Sequence, residues 1–171
     1  GMELLGISLY AMIAFPEKNP NPLEAAIKYL VLSAAASAML LFGFALIYAA
    51  TGDLSYVGIG AKLSLASIKN PLLVVAGTAM LLASIGFKLS LAPFHMWTPD
   101  VYEGAPTPVT ALFAIVPKVA AMTLIMNVTY FAFSGISDQW SQILIALSVA
   151  SMIVGATGAI MQQNIKRMLA Y

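Results

Sequence analysis

Five runs of apolar residues constrain this chain more than any other feature: residues 2–15, 25–50, 72–97, 109–133 and 143–161. A helix rises about 1.5 Å per residue, so about 20 apolar residues cross the roughly 30 Å hydrocarbon core of a bilayer. Each of the last four runs meets that requirement. The first, from Glu3 to Pro16, offers only about 20 Å and is expected to begin upstream. It carries Glu3 and no preceding basic residue, the wrong flank for a secretory signal, so it reads as mature helix. The expected fold is therefore all-α: a polytopic transmembrane helix bundle with about five membrane segments.

Composition agrees. Hydrophobic residues make up 61% of the 171 positions and charged residues 9%, against roughly 25% charged in an ordinary soluble domain. Eight basic and seven acidic side chains could not cover a water-facing surface. A net charge of +1, with no run of lysine or arginine, excludes a nucleic-acid footprint. Without cysteine, and with a single histidine, the chain has no disulfide, thiolate nucleophile, iron–sulfur ligand set or zinc site. No cofactor or metal is expected in this chain, and any redox centre belongs to another one.

The breaks between the runs are chemically distinct. Pro16 to Pro22 is a proline and asparagine turn, and Thr51-Gly52-Asp53 reads as a helix stop followed by a cap. Residues 53–70, with Lys62 and Lys69 among leucines, suit a short helix or loop in the headgroup region. Thr98 to Pro108 and Ser134 to Asp138 read as further turns. If the helices alternate in direction, Lys18, Lys166 and Arg167 share one face and Lys62 and Lys69 the other, which favours the first face as cytoplasmic. Ser33 with Ser37, and Gly155 with Ala159, have the spacing that lets helices approach closely; such pairs carry no functional weight.

The informative positions are ionisable residues inside the apolar runs: Glu3, Lys88, His95 and Lys118. A charge near the centre of a membrane helix costs roughly 2.5–3.5 kcal/mol, so such groups face protein or water and usually act. Lys118 is about 15 Å into its helix, near the midplane. Five residues after Lys88, Pro93 removes a backbone donor and crowds the carbonyl of Leu89, so the 72–97 helix is expected to break near 89–92. The end of a half-helix carries partial negative charge that favours a cation. Pro117, directly before Lys118, is expected to loosen its own helix in the same way. A buried lysine that approaches and leaves a carboxylate can take up and release a proton, which is the minimal chemistry of a relay.

The same residues admit plainer roles. Lys88 and Lys118 could be static ties, each neutralised by a carboxylate. His95 reads as a hydrogen-bonded boundary residue, and Lys28, one turn after Glu24, as a surface i, i+4 pair. Asp100 and Glu103 read as residues that cap or solvate the turn, and Trp97, Tyr102 and Tyr130 as interfacial anchors.

The stretch GFKLSLAPFHMWTPDVYEGAPTPVTALFAIVPKVAA, Gly86 to Ala121, closely resembles the signature of the subunit N (subunit 2) family, the antiporter-like membrane subunits of proton-translocating NADH-quinone oxidoreductase, respiratory complex I. The resemblance extends through Leu23 to Tyr56 and Gln162 to Tyr171 and is least distinctive over Lys62 to Pro71. Members of that family have two inverted helical units, each with a broken helix; this chain resembles helices five to nine. Residues 1–171 would then form a partial antiporter-like proton-translocation domain, the first repeat unit, incomplete.

The resemblance implies a proton path through Glu3 in MELLGIS, Lys88 in GFKLSLAPFH and Lys118 in PKVAA, and raises Lys28 in EAAIKY to a secondary relay residue; His95 stands beside it as a candidate for the same secondary role. Residue 117, often serine in the family, is proline here. The implied partners are the other membrane-arm subunits, the lipid bilayer and protons; NADH, FMN, iron–sulfur clusters and quinone would be held by partner subunits. The implied location is an energy-coupling membrane, the bacterial inner (plasma) membrane. The chain alone is not expected to complete a transmembrane proton route. Two other readings stay open: a structural bundle that helps assemble the membrane arm, and a subunit of a multisubunit cation/proton antiporter.

Overall fold

The computed structural model describes residues 2–15, 21–64 and 70–171, apart from the side chains of residues 2, 3, 21, 64 and 139. The PEKNP turn with Lys18, and Lys69, lie outside the described residues. The elements are all helical: α1 (Met2–Ile13), α2 (Asn21–Thr51), α3 (Tyr56–Ser64), α4 (Pro71–Leu89), α5 (Trp97–Gly104), α6 (Thr107–Asn127), α7 (Ser137–Ile160) and α8 (Ile165–Ala170). One π turn (Val128–Ala132) prolongs α6, and a 3-10 turn (Ser134–Ile136) leads into α7. Among the described residues, four stretches are long and apolar enough to cross a bilayer, Pro22–Thr51, Pro71–Leu89, Thr107–Ala132 and Trp140–Ile160, and Leu4–Ile13 is a shorter apolar helix. The chain is an all-α polytopic membrane bundle, with large side chains such as Leu41, Val119 and Ile145 turned outward, as lipid-facing surfaces require.

The turns follow from their residues. α2 ends where Gly52 takes a positive φ of 67°, a conformation glycine adopts without steric cost. Ser55 then caps α3 by accepting the amide of Gly58 at 3.1 Å, while Asp53 braces Ser55 through its amide and hydroxyl at 2.9 and 3.0 Å. α3 buries Ile59 and Leu63 and lays Gly60 against the carbonyl of Phe131 in the π turn.

α2 and α4 form the most extensive helix pair. They cross where Gly43 and Gly77 let the two backbones touch, and Ile47, Leu81, Leu82 and Ile85 fill the adjoining core with residues of the π turn. Ser33 and Ser37 are buried on the same α2 helix. A second cluster gathers Leu9, Ile13, Tyr29, Trp97, Tyr102 and Phe113 from α1, α2, α5 and α6.

Three expectations need correction. The break expected near 89–92 in the 72–97 run is there but longer: α4 stops at Leu89, residues 90–96 form no α-helix, and Trp97, expected to close the run, opens a new helix that continues through Gly104. The Thr98 to Gly104 stretch is thus helix rather than turn, because Pro99 and Asp100 fall in its first turn, where a missing N–H is harmless and an acid suits the dipole. Pro117 does not break its helix; α6 runs through it without interruption, the irregularity being at Val128–Ala132. Proline leaves only the carbonyl of Phe113 without its usual donor, a loss that membrane helices absorb.

Candidate functional site

The site begins with how α4 ends. The amide of Leu91 returns to the carbonyl of Gly86 at 2.8 Å and that of Ser90 to Phe87 at 3.1 Å, the paired bonds of a Schellman cap. The cap requires a left-handed residue, and Ser90 supplies it at φ 59° and ψ 36°. Its hydroxyl accepts that of Thr98 at 2.8 Å. Beyond it, the Ala92 amide donates to Ser151 Oγ on α7 at 2.9 Å, and Trp97 Nε1 reaches back to the Phe87 carbonyl at 3.1 Å. The break is therefore a hydrogen-bonded structure tied to α5 and α7. Lys88 stands in the last turn of α4, where the partial negative charge of the helix end favours its cation.

Lys88 and Lys118 line one cavity of about 20 Å³, walled by Leu5, Gly6 and Leu9 of α1, Tyr29 of α2, Trp97 of α5, and Phe113 and Pro117 of α6. That volume admits about one water. The walls are an aromatic cage: Tyr29 packs on Trp97 at 4.9 Å and on Phe113 at 4.8 Å, and Trp97 stacks on Phe87 at 5.2 Å between ring centroids. The Lys118 ammonium also lies 5.6 Å from the centre of the Tyr102 ring. Glu3 belongs to α1, the helix that provides one wall; its side chain lies outside the described ones.

Lys28 and His95 are not in this cavity. Lys28 pairs with Glu24 at 2.8 Å, as the spacing suggested, and also with Asp100 at 3.7 Å. Arg167 completes the cluster, with Asp100 at 3.1 Å and Glu103 at 2.8 Å, around a polar pocket of about 170 Å³. Its own hydrogen bond to Glu103, then the nearby charges of Asp100 and Glu103, hold the Arg167 guanidinium above its ordinary range. Asp100 and Glu103 are thus ion partners rather than turn caps. Once the stretch is seen as helix, their i, i+3 spacing puts both on one face, a signal the turn reading concealed.

His95 lies within the break. Its Nδ1 is buried with no hydrogen-bond partner among the described residues, and its ring meets Tyr171 edge-on at 5.6 Å, so the hydrogen-bonded boundary role is not what the geometry gives. Trp97 is a buried wall of the cavity and Tyr102 is buried beside it against Phe113, so neither is an interfacial anchor, whereas Tyr130 is exposed. Tyr29 and Phe113 are aromatic cavity residues that sequence reasoning missed; of these, Tyr29 also borders the ion cluster. It lies next to Lys28 on α2, so one helix supplies the ion cluster and the cavity wall.

A protein-family model described as "NADH:quinone oxidoreductase/Mrp antiporter, TM" matches residues 1–171. NADH-quinone oxidoreductase subunit N of Parvibaculum lavamentivorans is 50% identical over the whole chain, which covers 35% of that relative; subunit N of Beijerinckia indica is 48% identical with the same coverage. Respiratory complex I from Thermus thermophilus contains a chain 38% identical, with a TM-score of 0.80 over 99% of this chain and 35% of that one. In an archaeal membrane-bound sulfane sulfur reductase the values are 34% and 0.83, over 99% and 34%. The Mrp complex from Dietzia sp. shares the fold, with a TM-score of 0.87 at 24% identity over 99% and 31%. The chain spans about a third of the length of the relatives it matches. It belongs to the NADH:quinone oxidoreductase/Mrp antiporter family of membrane proteins.

Proposed function

We propose that this chain carries part of the proton path of an antiporter-like subunit of NADH-quinone oxidoreductase. The observation behind this reading is that Lys88 and Lys118, from successive membrane helices, line one small cavity with room for about one water. Two ammonium groups facing one such space disfavour each other's charge, so a proton on one makes a proton on the other harder to keep. Occupancy then alternates, with a water as the bridge. Glu3, on the helix that walls the cavity, is the acid proposed to pair with Lys88 and modulate its proton affinity. Lys28 and His95 serve as secondary relay groups at the periphery. The chain performs no redox chemistry; NADH, FMN, iron–sulfur clusters and quinone belong to partner subunits of the complex, whose membrane arm this subunit joins in the bacterial inner membrane.

The test replaces Lys118 or Lys88 by alanine in the full-length subunit and measures complex assembly, NADH oxidation and proton pumping in inverted membrane vesicles. A relay predicts an assembled complex whose pumping falls at least about tenfold, as expected when a proton-transfer group is removed. Normal pumping in both variants would rule the relay out. Loss of assembly with both would instead favour static ties between helices. The family description, which names the Mrp antiporter beside NADH:quinone oxidoreductase, favours a second reading, a cation/proton antiporter subunit; it requires pumping in the same vesicles to depend on sodium.

A further inference from the structure

Lys118 faces two different surroundings. It lines the cavity it shares with Lys88, and its ammonium lies 5.6 Å from the centre of the Tyr102 ring, within reach of cation–π attraction. Among the described residues it has no carboxylate partner. A half-buried ammonium without a counter-ion is costly, and the negative face of an aromatic ring is one of the few groups that offsets this cost without itself titrating near neutrality.

Tyr102 suits that role better than the interfacial one its residue type suggests. It is 2% exposed, and its hydroxyl is buried with no hydrogen-bond partner among the described residues, whereas a membrane-interface tyrosine keeps its hydroxyl wet. Phe113, five residues before Lys118, packs edge-on against the ring at 6.2 Å, and Thr110 Oγ1 donates to the backbone carbonyl of Tyr102 at 3.2 Å. It is carried by α5, the helix that starts directly after the break and also supplies Trp97 to the cavity. Of the other titratable groups around Lys118, α4 contributes Lys88 and α2 contributes Tyr29, with Tyr10 of α1 behind Tyr29. The acids of α5, Asp100 and Glu103, are engaged by Lys28 and Arg167.

We propose that Tyr102 is the positioning residue of Lys118, its ring face holding the ammonium in the charged state between proton transfers. The proposal rests on the proton-relay reading. In the full-length subunit of the intact complex, residue 102 is changed to Phe and then to increasingly fluorinated Phe, up to the pentafluoro form. That series keeps the ring's shape and removes its negative face. Pumping is followed across pH in inverted vesicles, with NADH oxidation as control and Lys118→Ala as reference. Tyr102→Phe should keep the wild-type profile. Fluorination should move the alkaline limb to lower pH, by about one unit at the end of the series, since a less favoured cation loses its proton sooner. An unshifted limb in the pentafluoro protein overturns the proposal, and so does a Phe variant that pumps no better than Lys118→Ala, which would give the role to the hydroxyl. Normal pumping in Lys118→Ala would take Lys118 out of the proposed path, a failure of that reading distinct from an unshifted limb, so the two failures are distinguishable.

Discussion

Gly43 of α2 and Gly77 of α4 touch through their backbones: a Cβ on either would lie 2.9 Å from the carbonyl oxygen of the other. Real side chains do not approach a backbone oxygen so closely, so alanine at either position must push apart two membrane helices that share the main core. Overpacking of this kind costs roughly 1–3 kcal/mol. Gly43→Ala and Gly77→Ala are each expected to lower the thermal midpoint of the purified subunit in detergent. An unchanged midpoint for both would mean the crossing yields freely.

The serine at the break makes a different prediction. A non-glycine residue in the left-handed region costs about 1 kcal/mol relative to glycine, and Ser90 offsets this with the hydrogen bond from Thr98, worth about as much. Ser90→Gly should therefore be close to neutral in the same melting assay. Ser90→Val, which loses the bond and places a β-branched side chain at positive φ, should cost at least about 2 kcal/mol. Equal losses in the two variants would show that the hydroxyl, not the backbone conformation, dominates.

These two sites also mark what was legible in the sequence. Lys88 and Lys118 stood out because charge is expensive in apolar runs, and Pro93 announced the break beside Lys88. The Gly43–Gly77 crossing did not, because a glycine in an apolar helix does not name its partner. Thr98 to Gly104 was misread because proline and glycine punctuate turns and helix starts alike. The burial of Trp97 and Tyr102 was hidden for a related reason: an amphipathic aromatic suits both a membrane interface and an interior cage. Arg167, 64 residues from Glu103, has no local pattern linking it to that acid.

Asp53 provides a pH dependence. The backbone amide of Ser55, then its hydroxyl, then Lys62 at 3.5 Å hold its carboxyl below the ordinary carboxylate value. A depressed acid stabilises the fold fully above its unfolded pKa, about 3.9, and the contribution disappears as pH falls through the lower folded value. Asp53→Asn should consequently melt below wild type at neutral pH, with a gap that closes on acidification beneath the carboxylate range and stays constant from pH ~7 to ~9. A gap that widens in acid would contradict this assignment.

Arg167 joins the segment after α7 to α5 through Asp100 and Glu103, and all three side chains are about two-fifths exposed, at 36%, 41% and 40%. Exposed ion pairs are worth about 0–1 kcal/mol because water already solvates both charges, and added salt weakens them further. A double-mutant cycle with Arg167→Gln and Glu103→Gln, read by thermal unfolding, should give a coupling below about 1 kcal/mol that shrinks as salt is raised. Arg167 stays charged throughout, since Glu103 and Asp100 hold it above an already high value, so the coupling should change only where the acids titrate. A coupling above about 2 kcal/mol, insensitive to salt, would be the behaviour of a buried charge pair. It would mean that another part of the protein covers this cluster and keeps water from it.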